Sequence, residues 1–215
     1  FGLDASNDYY ATDIKQAKHG YAFTVNYRSE QLFRLELSVP GKHNVYNMLS
    51  AVAVGKYYGI ENDGIKDSLS KFGGAGRRFE KLGEWNSISL IDDYAHHPQE
   101  ITATLTAAKK YPHKKIWCIF QPHTYTRTKA LFEEFVRELK LPDVLILAEI
   151  YAAREQNDIG ISSNDLARRI PGAIYCPTLD KVTEALRAAA QPGDLIITVG
   201  AGDIYKAGEK LLREN

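Results

Sequence analysis

The sequence contains few cysteines and no excess of either charge. Among its 215 residues only Cys118 and Cys176 are cysteines, and 27 basic side chains balance 27 acidic ones. Two cysteines so far apart exclude the closely spaced pairs that bind structural metals. Both lie in apolar stretches, which indicates buried, reduced thiols in an intracellular protein. Proteins that bind nucleic acids usually have a basic excess, so the balanced charge argues against that class.

Long hydrophobic runs are also missing. The longest, such as Val144–Ala148, are far shorter than the roughly 20 apolar residues of a membrane-spanning helix. The chain has neither an initiator methionine nor a secretory signal peptide, so we expect a cytoplasmic protein whose sequence begins within a longer one. With 44% hydrophobic and 25% charged residues, the composition is typical of a folded globular protein and not of a disordered one.

The first third of the chain predicts a β-hairpin followed by two helices. Residues 21–39 form two runs around a short charged turn, and apolar and polar residues alternate in the second run. This pattern predicts two antiparallel strands with one face exposed to water. Helices are expected near residues 45–59 and 63–73, each ended by glycine. The residues expected to face inward from the first helix are Val45, Leu49, Val52 and Val54.

Residues 73–76 contain three glycines in four positions, which predicts a linker. The predicted pattern of secondary structure changes after it. Short strands then alternate with helices, one of them expected at residues 129–139. Strands such as Ile116–Phe120 are apolar on both faces, as in parallel sheets covered by helices on each side. The predicted fold class is α/β, with a Rossmann-like, mostly parallel sheet domain in residues 78–215 and a partial domain in residues 1–77.

Polar side chains gather in the loops that should follow the strands. Ligands of open parallel sheets bind at the carboxyl ends of the strands. The loops expected there are residues 92–98, 121–127, 149–160 and 200–203. They contain three of the six histidines, together with carboxylate, amide and guanidinium groups. We therefore predict a binding or catalytic site at this edge of the sheet.

Each polar position in these loops also has a structural interpretation. Asp93 or His97 could cap the helix that Pro98 begins, although one cap explains one polar position and not five. The Arg127 guanidinium is suited to a carboxylate or phosphate, or it could be a solvated side chain at a helix start. A zinc site built from the three histidines is disfavoured, because adjacent histidines rarely reach one metal ion.

Two pairs of residues outside these loops are further candidates. Asn44 could be the N-cap of the first helix, or it could share a helix face with Asn47 and offer amide groups to a base edge. Arg77 and Arg78 lie at the joint between the two parts of the chain. They could be a solvated pair, or one guanidinium could reach a phosphate.

Together these motifs resemble the Mur ligases, the ATP-dependent amide-forming enzymes of peptidoglycan assembly. The matching segments, in the order and spacing of the family, are Gly41-Lys42-His43-Asn44-x-x-Asn47, Gly76-Arg77-Arg78-Phe79-Glu80 and Asp92-Asp93-Tyr94-Ala95-His96-His97-Pro98. Residues 120–128 and 200–204 are similar to the members that join L-alanine to UDP-N-acetylmuramate. The resemblance runs from about residue 21 to the end of the chain, and five motifs in register make it specific.

The resemblance implies a three-domain enzyme and a role for each matching residue. Residues 1–77 would be the carboxy-terminal part of the central ATP-binding domain, and residues 78–215 the domain that closes over the substrates. The implied ATP-binding residues are His43, Asn44 and Asn47 near adenine, Arg78 at the phosphates and Asp93 near the ribose. The implied substrate-binding residues are Tyr94, His96, His123 and Arg127, and Arg78 and His96 are the catalytic candidates. Some members have arginine where this chain has Thr124, so we assign no role there.

The implied reaction uses ATP, UDP-N-acetylmuramate and L-alanine, with Mg²⁺ held mostly by residues upstream. The lactyl carboxylate would attack the γ-phosphate, and the amine of alanine would then displace phosphate from the acyl phosphate. The family's glycine-rich phosphate loop does not occur in this sequence, so we expect the chain alone to be inactive. Two alternatives stay open: a Mur ligase that recycles whole peptides, and a non-catalytic module that binds a nucleotide or acidic ligand.

Overall fold

The computed structural model describes residues 1–17, 20–39 and 41–213. The chain divides into two compact units, Phe1–Ala75 and Gly76–Asn215, and each is described by itself. In the described part of the chain, no helix has the length and apolar character needed to cross a membrane.

The first unit is a three-stranded antiparallel sheet with two helices. Its elements are β1 (Tyr9–Gln16), β2 (Tyr21–Tyr27), β3 (Glu30–Glu36), α1 (His43–Tyr57) and α2 (Asn62–Ser70), and the sheet order is β1-β2-β3. The predicted hairpin is confirmed as β2 and β3. The sequence did not predict β1, because this edge strand buries only Ala11 and its register shifts between Thr12 and Lys15. An irregular edge strand has no clear alternation to detect.

Helix α1 packs one apolar stripe on the sheet. The buried residues are Val45, Met48, Leu49, Val52 and Gly55, at the spacing of a single helix face. The prediction that Val54 faces inward is wrong, since that residue is 56% exposed. Two positions beyond Val52 a helix has turned through about 200°, so Val54 lies on the opposite side. Gly59 has a φ of 74°, a left-handed conformation that suits the predicted end of this helix.

The second unit confirms the predicted α/β class with a six-stranded sheet in the order β4-β5-β9-β6-β7-β8. Among the described residues of this sheet, only the pair β4 and β5 is antiparallel. Its strands are β4 (Glu80–Trp85), β5 (Ile88–Asp93), β6 (Ile116–Phe120), β7 (Val144–Ala148), β8 (Ile174–Cys176) and β9 (Leu195–Val199). Its helices are α3 (Pro98–Ala108), α4 (Tyr125–Ala130), α5 (Phe132–Glu138), α6 (Ser163–Arg169), α7 (Leu179–Ala189) and α8 (Tyr205–Arg213). The single helix predicted at 129–139 is wrong, because Leu131, with a φ of −107°, separates α4 from α5.

Both faces of this sheet are buried, as the apolar strands predicted. Along β6, Ile116, Cys118 and Phe120 face a core completed by α3, α5 and α6. Trp117 and Ile119 face a second core completed by α7 and α8. Cys118 and Cys176 are free and buried, which confirms the prediction for the two cysteines. Burial raises the pKa of the Cys118 thiol to about 12, so this group stays a neutral thiol at physiological pH.

Candidate functional site

The carboxyl ends of β5, β6, β7 and β9 are held together by hydrogen bonds between the loops that follow them. The Gly200 N–H donates to the Asp93 carbonyl at 3.0 Å, which joins the loops after β9 and β5. The Thr124 N–H donates to the Tyr151 carbonyl at 2.9 Å, which joins those after β6 and β7. The Gln121 amide donates to Asp203 at 2.9 Å and joins the loops after β6 and β9. These bonds join the loops after β5, β6, β7 and β9 into one continuous edge of the sheet, which we call the rim.

Four aromatic side chains follow one another across the rim, and we call them the rim cluster. The ring centroids of Tyr94 and His96 are 5.6 Å apart, those of His96 and His123 are 6.1 Å apart, and the stacked rings of His123 and Tyr151 are 5.7 Å apart. The Arg127 guanidinium lies beside this row, with its Nη1 3.3 Å from His123 Nδ1. The four residues predicted to bind substrate, Tyr94, His96, His123 and Arg127, therefore lie in one place, although their roles stay predictions.

The hydrogen bonds of the two imidazoles assign different neutral tautomers to them. His96 Nδ1 lies 2.9 Å from the Tyr94 carbonyl oxygen, which can only accept, so Nδ1 carries a proton and, in the neutral ring, Nε2 is the proton acceptor. His123 Nδ1 faces a guanidinium, which can only donate, so Nδ1 accepts and Nε2 carries the proton. Adjacent imidazoles therefore offer one proton acceptor and one proton donor.

Glu100 fixes the backbone from which His96 projects. Its carboxylate accepts hydrogen bonds from the backbone N–H groups of His96 at 3.0 Å and His97 at 3.2 Å. Burial raises the pKa of Glu100, but these donors outweigh it, together with the charge of Arg78 and that of His96 when it is protonated, so the net pKa is lowered. His97 is the N-cap of α3, as one of the two interpretations of this loop proposed.

We predict that His123 titrates below the usual histidine pKa of about 6.5. Burial, the Arg127 charge and the neighbouring His96 all lower its pKa. Since the unfolded chain would hold this proton more tightly, His123 stabilises the fold fully above pH ~6.5 and loses that contribution as the pH falls below it. An NMR pH titration of the chain should show the lowered value, and Arg127→Met should raise it part of the way. A wild-type pKa at or above ~6.5 would contradict this picture.

The two arginines at the joint have different environments. The Arg77 side chain is 23% exposed and pairs with Asp92 at 2.7 Å, whereas the Arg78 side chain is 53% exposed and lies 3.8 Å from Glu100. The Arg78 guanidinium also lies over the Tyr94 ring, 5.6 Å from its centroid. The predicted phosphate-binding arginine, Arg78, is therefore the more accessible of the two and is adjacent to the rim cluster.

The carboxylates of Asp92 and Asp93 are buried and bonded within the protein. Asp92 accepts from the Thr198 hydroxyl at 2.6 Å in addition to Arg77. Asp93 accepts from the backbone N–H groups of Phe79 at 3.0 Å and Ala95 at 2.8 Å. Burial raises the pKa of Asp93, and these donors offset part of that rise. Asp93 thus joins the segment before β4 to the loop after β5, and its role near a ribose stays a prediction.

Gly200 lets β9 end against the loop after β6. Its φ is 149°, and a Cβ atom there would lie 2.7 Å from the Gln121 carbonyl oxygen, which is backbone and cannot move aside cheaply. Gly200→Ala should therefore lower the free energy of unfolding by about 2–4 kcal/mol, from backbone strain and overlap together. Gly172→Ala is the matched control, since Gly172 has a φ of 79° and no atom within 4 Å of the added Cβ. Denaturant unfolding measures the free energy of unfolding of both variants. Equal decreases in the two would contradict a steric overlap at Gly200.

The predicted adenine-side residues lie at the start of α1 in the first unit. Lys42 is the N-cap and Asn44 is within the helix, so the interpretation of Asn44 as N-cap is wrong. Asn47 Nδ2 donates to Asn44 Oδ1 at 2.9 Å, which places both amides on one helix face as the spacing indicated. His43 is exposed, and its ring packs back over Gly41, which has a φ of 96°. The role of these three residues stays a prediction.

A sequence profile described as "Mur ligase, glutamate ligase domain" matches residues 77–202, more than half of the chain. The chain belongs to the Mur ligase family. A second profile, "Mur ligase middle domain", matches residues 1–55. The family resemblance inferred from the sequence motifs is thereby confirmed.

Two curated relatives of this Mur ligase chain have the same name. The UDP-N-acetylmuramate–L-alanine ligase of Agathobacter rectalis is 46% identical over 219 residues, which cover 100% of this chain and 48% of the relative. The enzyme of that name from Clostridium acetobutylicum is also 46% identical, over 99% of this chain and 47% of the relative. The chain therefore spans about half the length of the curated relatives it matches.

Solved Mur ligases have the same fold. The UDP-N-acetylmuramate–alanine ligase of Thermotoga maritima is 25% identical with a TM-score of 0.71, over 96% of this chain and 45% of its own. The murein peptide ligase of Psychrobacter arcticus is 27% identical with a TM-score of 0.72, over 99% of this chain and 45% of its own. The structural comparison by itself does not separate these two kinds of Mur ligase.

Several residues that build the rim were not singled out from the sequence. Tyr151 stacks on His123, and Gln121 bonds both Asp203 and the Ile204 N–H, although each lies in a loop that was predicted to matter. Glu149 accepts from the N–H groups of Ile150 and Ser163 and from the Tyr175 hydroxyl. Gln121 and Glu149 directly follow β6 and β7, and that position was the available signal. Glutamine and glutamate as residue types do not by themselves indicate a role.

Proposed function

We propose that this chain is part of an ATP-dependent ligase that joins L-alanine to the lactyl carboxylate of UDP-N-acetylmuramate. The observation that carries the proposal is the rim cluster, in which Tyr94, His96 and His123 form a row beside the Arg127 guanidinium. An amino acid needs a cation for its carboxylate and a base for its ammonium proton, and the rim cluster together with Arg127 offers both. The shared name of relatives that match 99–100% of the chain supports the same substrates.

In this proposal each of the two predicted domains keeps the role that the family resemblance implied. Residues 1–77 would belong to the ATP-binding domain, with His43, Asn44 and Asn47 near adenine. Residues 78–215 would carry Arg78 for the phosphates, Asp93 near the ribose, and the rim cluster for the other substrates. A MurF ligase of Thermotoga maritima, which shares the fold at a TM-score of 0.63, was solved in complex with ADP.

The reaction would run in two steps. The lactyl carboxylate oxygen attacks the γ-phosphorus of ATP, the bond to the β-phosphate oxygen breaks, and ADP leaves. The alanine amine then attacks the acyl carbon, an amide forms, and phosphate leaves with the former carboxylate oxygen. Because each species is anionic, a positioned guanidinium such as Arg78 could contribute about 2–4 kcal/mol of transition-state stabilisation, comparable to an oxyanion-hole donor.

The two imidazoles would have different roles toward alanine, because their tautomers differ. His96 Nε2, which has no described hydrogen-bond partner, would accept the proton that the ammonium group must lose before it can attack. The His123 Nε2–H would donate to the alanine carboxylate beside the Arg127 guanidinium. The lowered pKa of His123 keeps this imidazole neutral near pH 7, as a donor that does not compete for the ammonium proton.

Mg²⁺ stays a cofactor that the family resemblance predicts. Among residues 1–17, 20–39 and 41–213, no three His, Cys, Asp or Glu side chains form a group that could hold a metal ion. Metal ligands upstream of this sequence stay a prediction from the family resemblance.

An isotope experiment on the full-length protein tests the proposed chemistry. UDP-N-acetylmuramate labelled with ¹⁸O in the lactyl carboxylate is incubated with ATP and L-alanine, and the released phosphate is analysed by mass spectrometry. The acyl-phosphate route transfers one ¹⁸O atom to each phosphate. Binding of ATP without any amide product would instead favour the alternative of a non-catalytic binding module.

We also predict that the 215-residue chain alone makes no amide and hydrolyses no ATP, because it has no glycine-rich phosphate loop. The measurement is ADP release by the purified chain with all three substrates, beside the full-length protein at equal concentration. Turnover by the isolated chain, retained after a second purification step, would contradict this expectation.

The murein peptide ligase of Psychrobacter arcticus supports a second candidate function, the recycling of whole peptides, since its fold matches equally well. The two candidates differ in the acceptor amine, a free amino acid in one and a peptide in the other. Curated relatives at 41–48% identity favour the first.

A further inference from the structure

The Arg77 guanidinium is bound on three sides by the protein itself. Its Nε donates to Asp92 at 2.7 Å, its Nη1 to the Gly202 carbonyl at 3.0 Å and its Nη2 to the Gly200 carbonyl at 2.6 Å. Asp92 is fully buried. A guanidinium with three charge-assisted bonds to buried or backbone acceptors is fixed in place, because its planar geometry allows little rotation.

Two aromatic rings complete this environment. The Arg77 guanidinium carbon lies 5.0 Å from the ring centroid of Tyr94 and 4.5 Å from that of Tyr205. Both distances are within the range of cation–π attraction. One side chain therefore contacts the loop after β5 through Tyr94 and the turn after β9 through Gly200 and Gly202.

The backbone around Arg77 is also fixed. Arg77 and Phe79 have φ angles of 60° and 49°, which non-glycine residues adopt only where the surroundings enforce them. The Arg77 carbonyl accepts from the Tyr94 N–H at 2.7 Å, and the Phe79 N–H donates to Asp93 at 3.0 Å. Arg78 is held between these two left-handed residues, and its guanidinium lies over Tyr94.

We infer that Arg77 is a positioning residue, which sets the places of Arg78 and Tyr94 at the rim without touching substrate. The inference rests on the proposed function, because it assigns Arg78 and Tyr94 to the phosphates and the acyl acceptor. Arg77 itself faces inward, with Nε and both terminal nitrogens bonded within the protein. The sequence Arg77-Arg78 thus separates two tasks: the first guanidinium anchors, and the second is available to an anionic substrate.

Hydrogen exchange on the 215-residue chain tests the anchoring without any ligase activity. Arg77→Lys keeps the charge but cannot form all three hydrogen bonds of the guanidinium. The hydrogen-exchange rates of the Tyr94 and Phe79 amides should therefore rise about tenfold. Amides in the middle of β6, such as Ile119, should not change. Arg169→Lys is the matched control, since Arg169 forms its bidentate pair with the exposed Glu133, and it should leave Tyr94 and Phe79 protected. Unchanged exchange at Tyr94 and Phe79, or an equal rise at Ile119, would overturn the inference.

Activity of the full-length protein tests the consequence for chemistry. Arg77→Gly removes the side chain while glycine tolerates the φ of 60°, so the backbone is not strained further. We expect kcat to fall about 100-fold, as for a small misplacement of reacting groups. Guanidinium chloride at a non-denaturing concentration should restore part of the loss, and an equal concentration of sodium chloride should not. A fall in kcat that guanidinium chloride restores no better than sodium chloride would overturn the positioning role. A wild-type protein without turnover would refute the proposed function and leave the exchange experiment to decide.

Discussion

Replacement of Arg127 by methionine in the full-length protein should lower kcat/KM for L-alanine about 100-fold, mostly through a higher KM. Arg127 lies beside His123 at the rim, with its Nη1 3.3 Å from His123 Nδ1. In the proposed complex its guanidinium would pair with the alanine carboxylate, and methionine preserves bulk but removes every donor. An unpaired carboxylate in a half-buried site is strongly unfavourable, which is the source of the large effect.

Steady-state kinetics with L-alanine as the varied substrate measures this loss. Arg127→Lys should fall between wild type and Arg127→Met, because lysine keeps the charge without the planar fork. Arg137→Met is the matched control, since Arg137 lies on α5 with an exposed side chain that pairs with Glu138. An unchanged KM for L-alanine in Arg127→Met would contradict the assignment of this residue to the amino acid.

Replacement of His96 by glutamine should lower kcat about 100–1000-fold while the KM values change little. The Tyr94 carbonyl fixes the proton on His96 Nδ1 and leaves Nε2 as the base of the rim cluster. Glutamine can keep a hydrogen bond to that carbonyl but cannot accept a proton. Without a base, the alanine ammonium must lose its proton to water, and attack on the acyl phosphate becomes the slow step.

His113→Gln is a closely matched control for this experiment. His113 makes the same kind of bond, from Nδ1 to the carbonyl oxygen of the residue two positions earlier, at 2.6 Å. It lies before β6, at the opposite edge of the sheet from the rim. Single-turnover kinetics at several pH values separates loss of the base from loss of binding. Equal kcat values for the two variants would contradict the role of His96 as base.

The sequence predicted the second unit well because its signals are local. Strands such as β6 are apolar on both faces, which indicates a covered parallel sheet, and the polar residues that follow them collect at one edge by topology alone. This reasoning predicted that the loops containing Tyr94, His96, His123 and Arg127 would meet. The individual roles came from the resemblance to the Mur ligases, since no spacing rule assigns them.

Other features depend on tertiary contacts that leave no trace in a single sequence. The edge strand β1 has almost no buried face, and the break between α4 and α5 occurs at Leu131, an ordinary helix former. Nothing in the dipeptide Arg77-Arg78 shows which guanidinium faces inward. That choice depends on Asp92 and on two glycine carbonyls more than a hundred residues away.

The choice of acceptor amine tests the central claim most directly. The full-length protein is supplied with ATP and UDP-N-acetylmuramate, and kcat/KM for amide formation is measured with L-alanine and with a tripeptide that begins with L-alanine. If Arg127 beside the rim cluster binds a free amino acid by its carboxylate, L-alanine should be preferred by at least about 100-fold, since the peptide has no carboxylate at that position. Equal or better use of the tripeptide would contradict the account and identify a peptide-recycling Mur ligase.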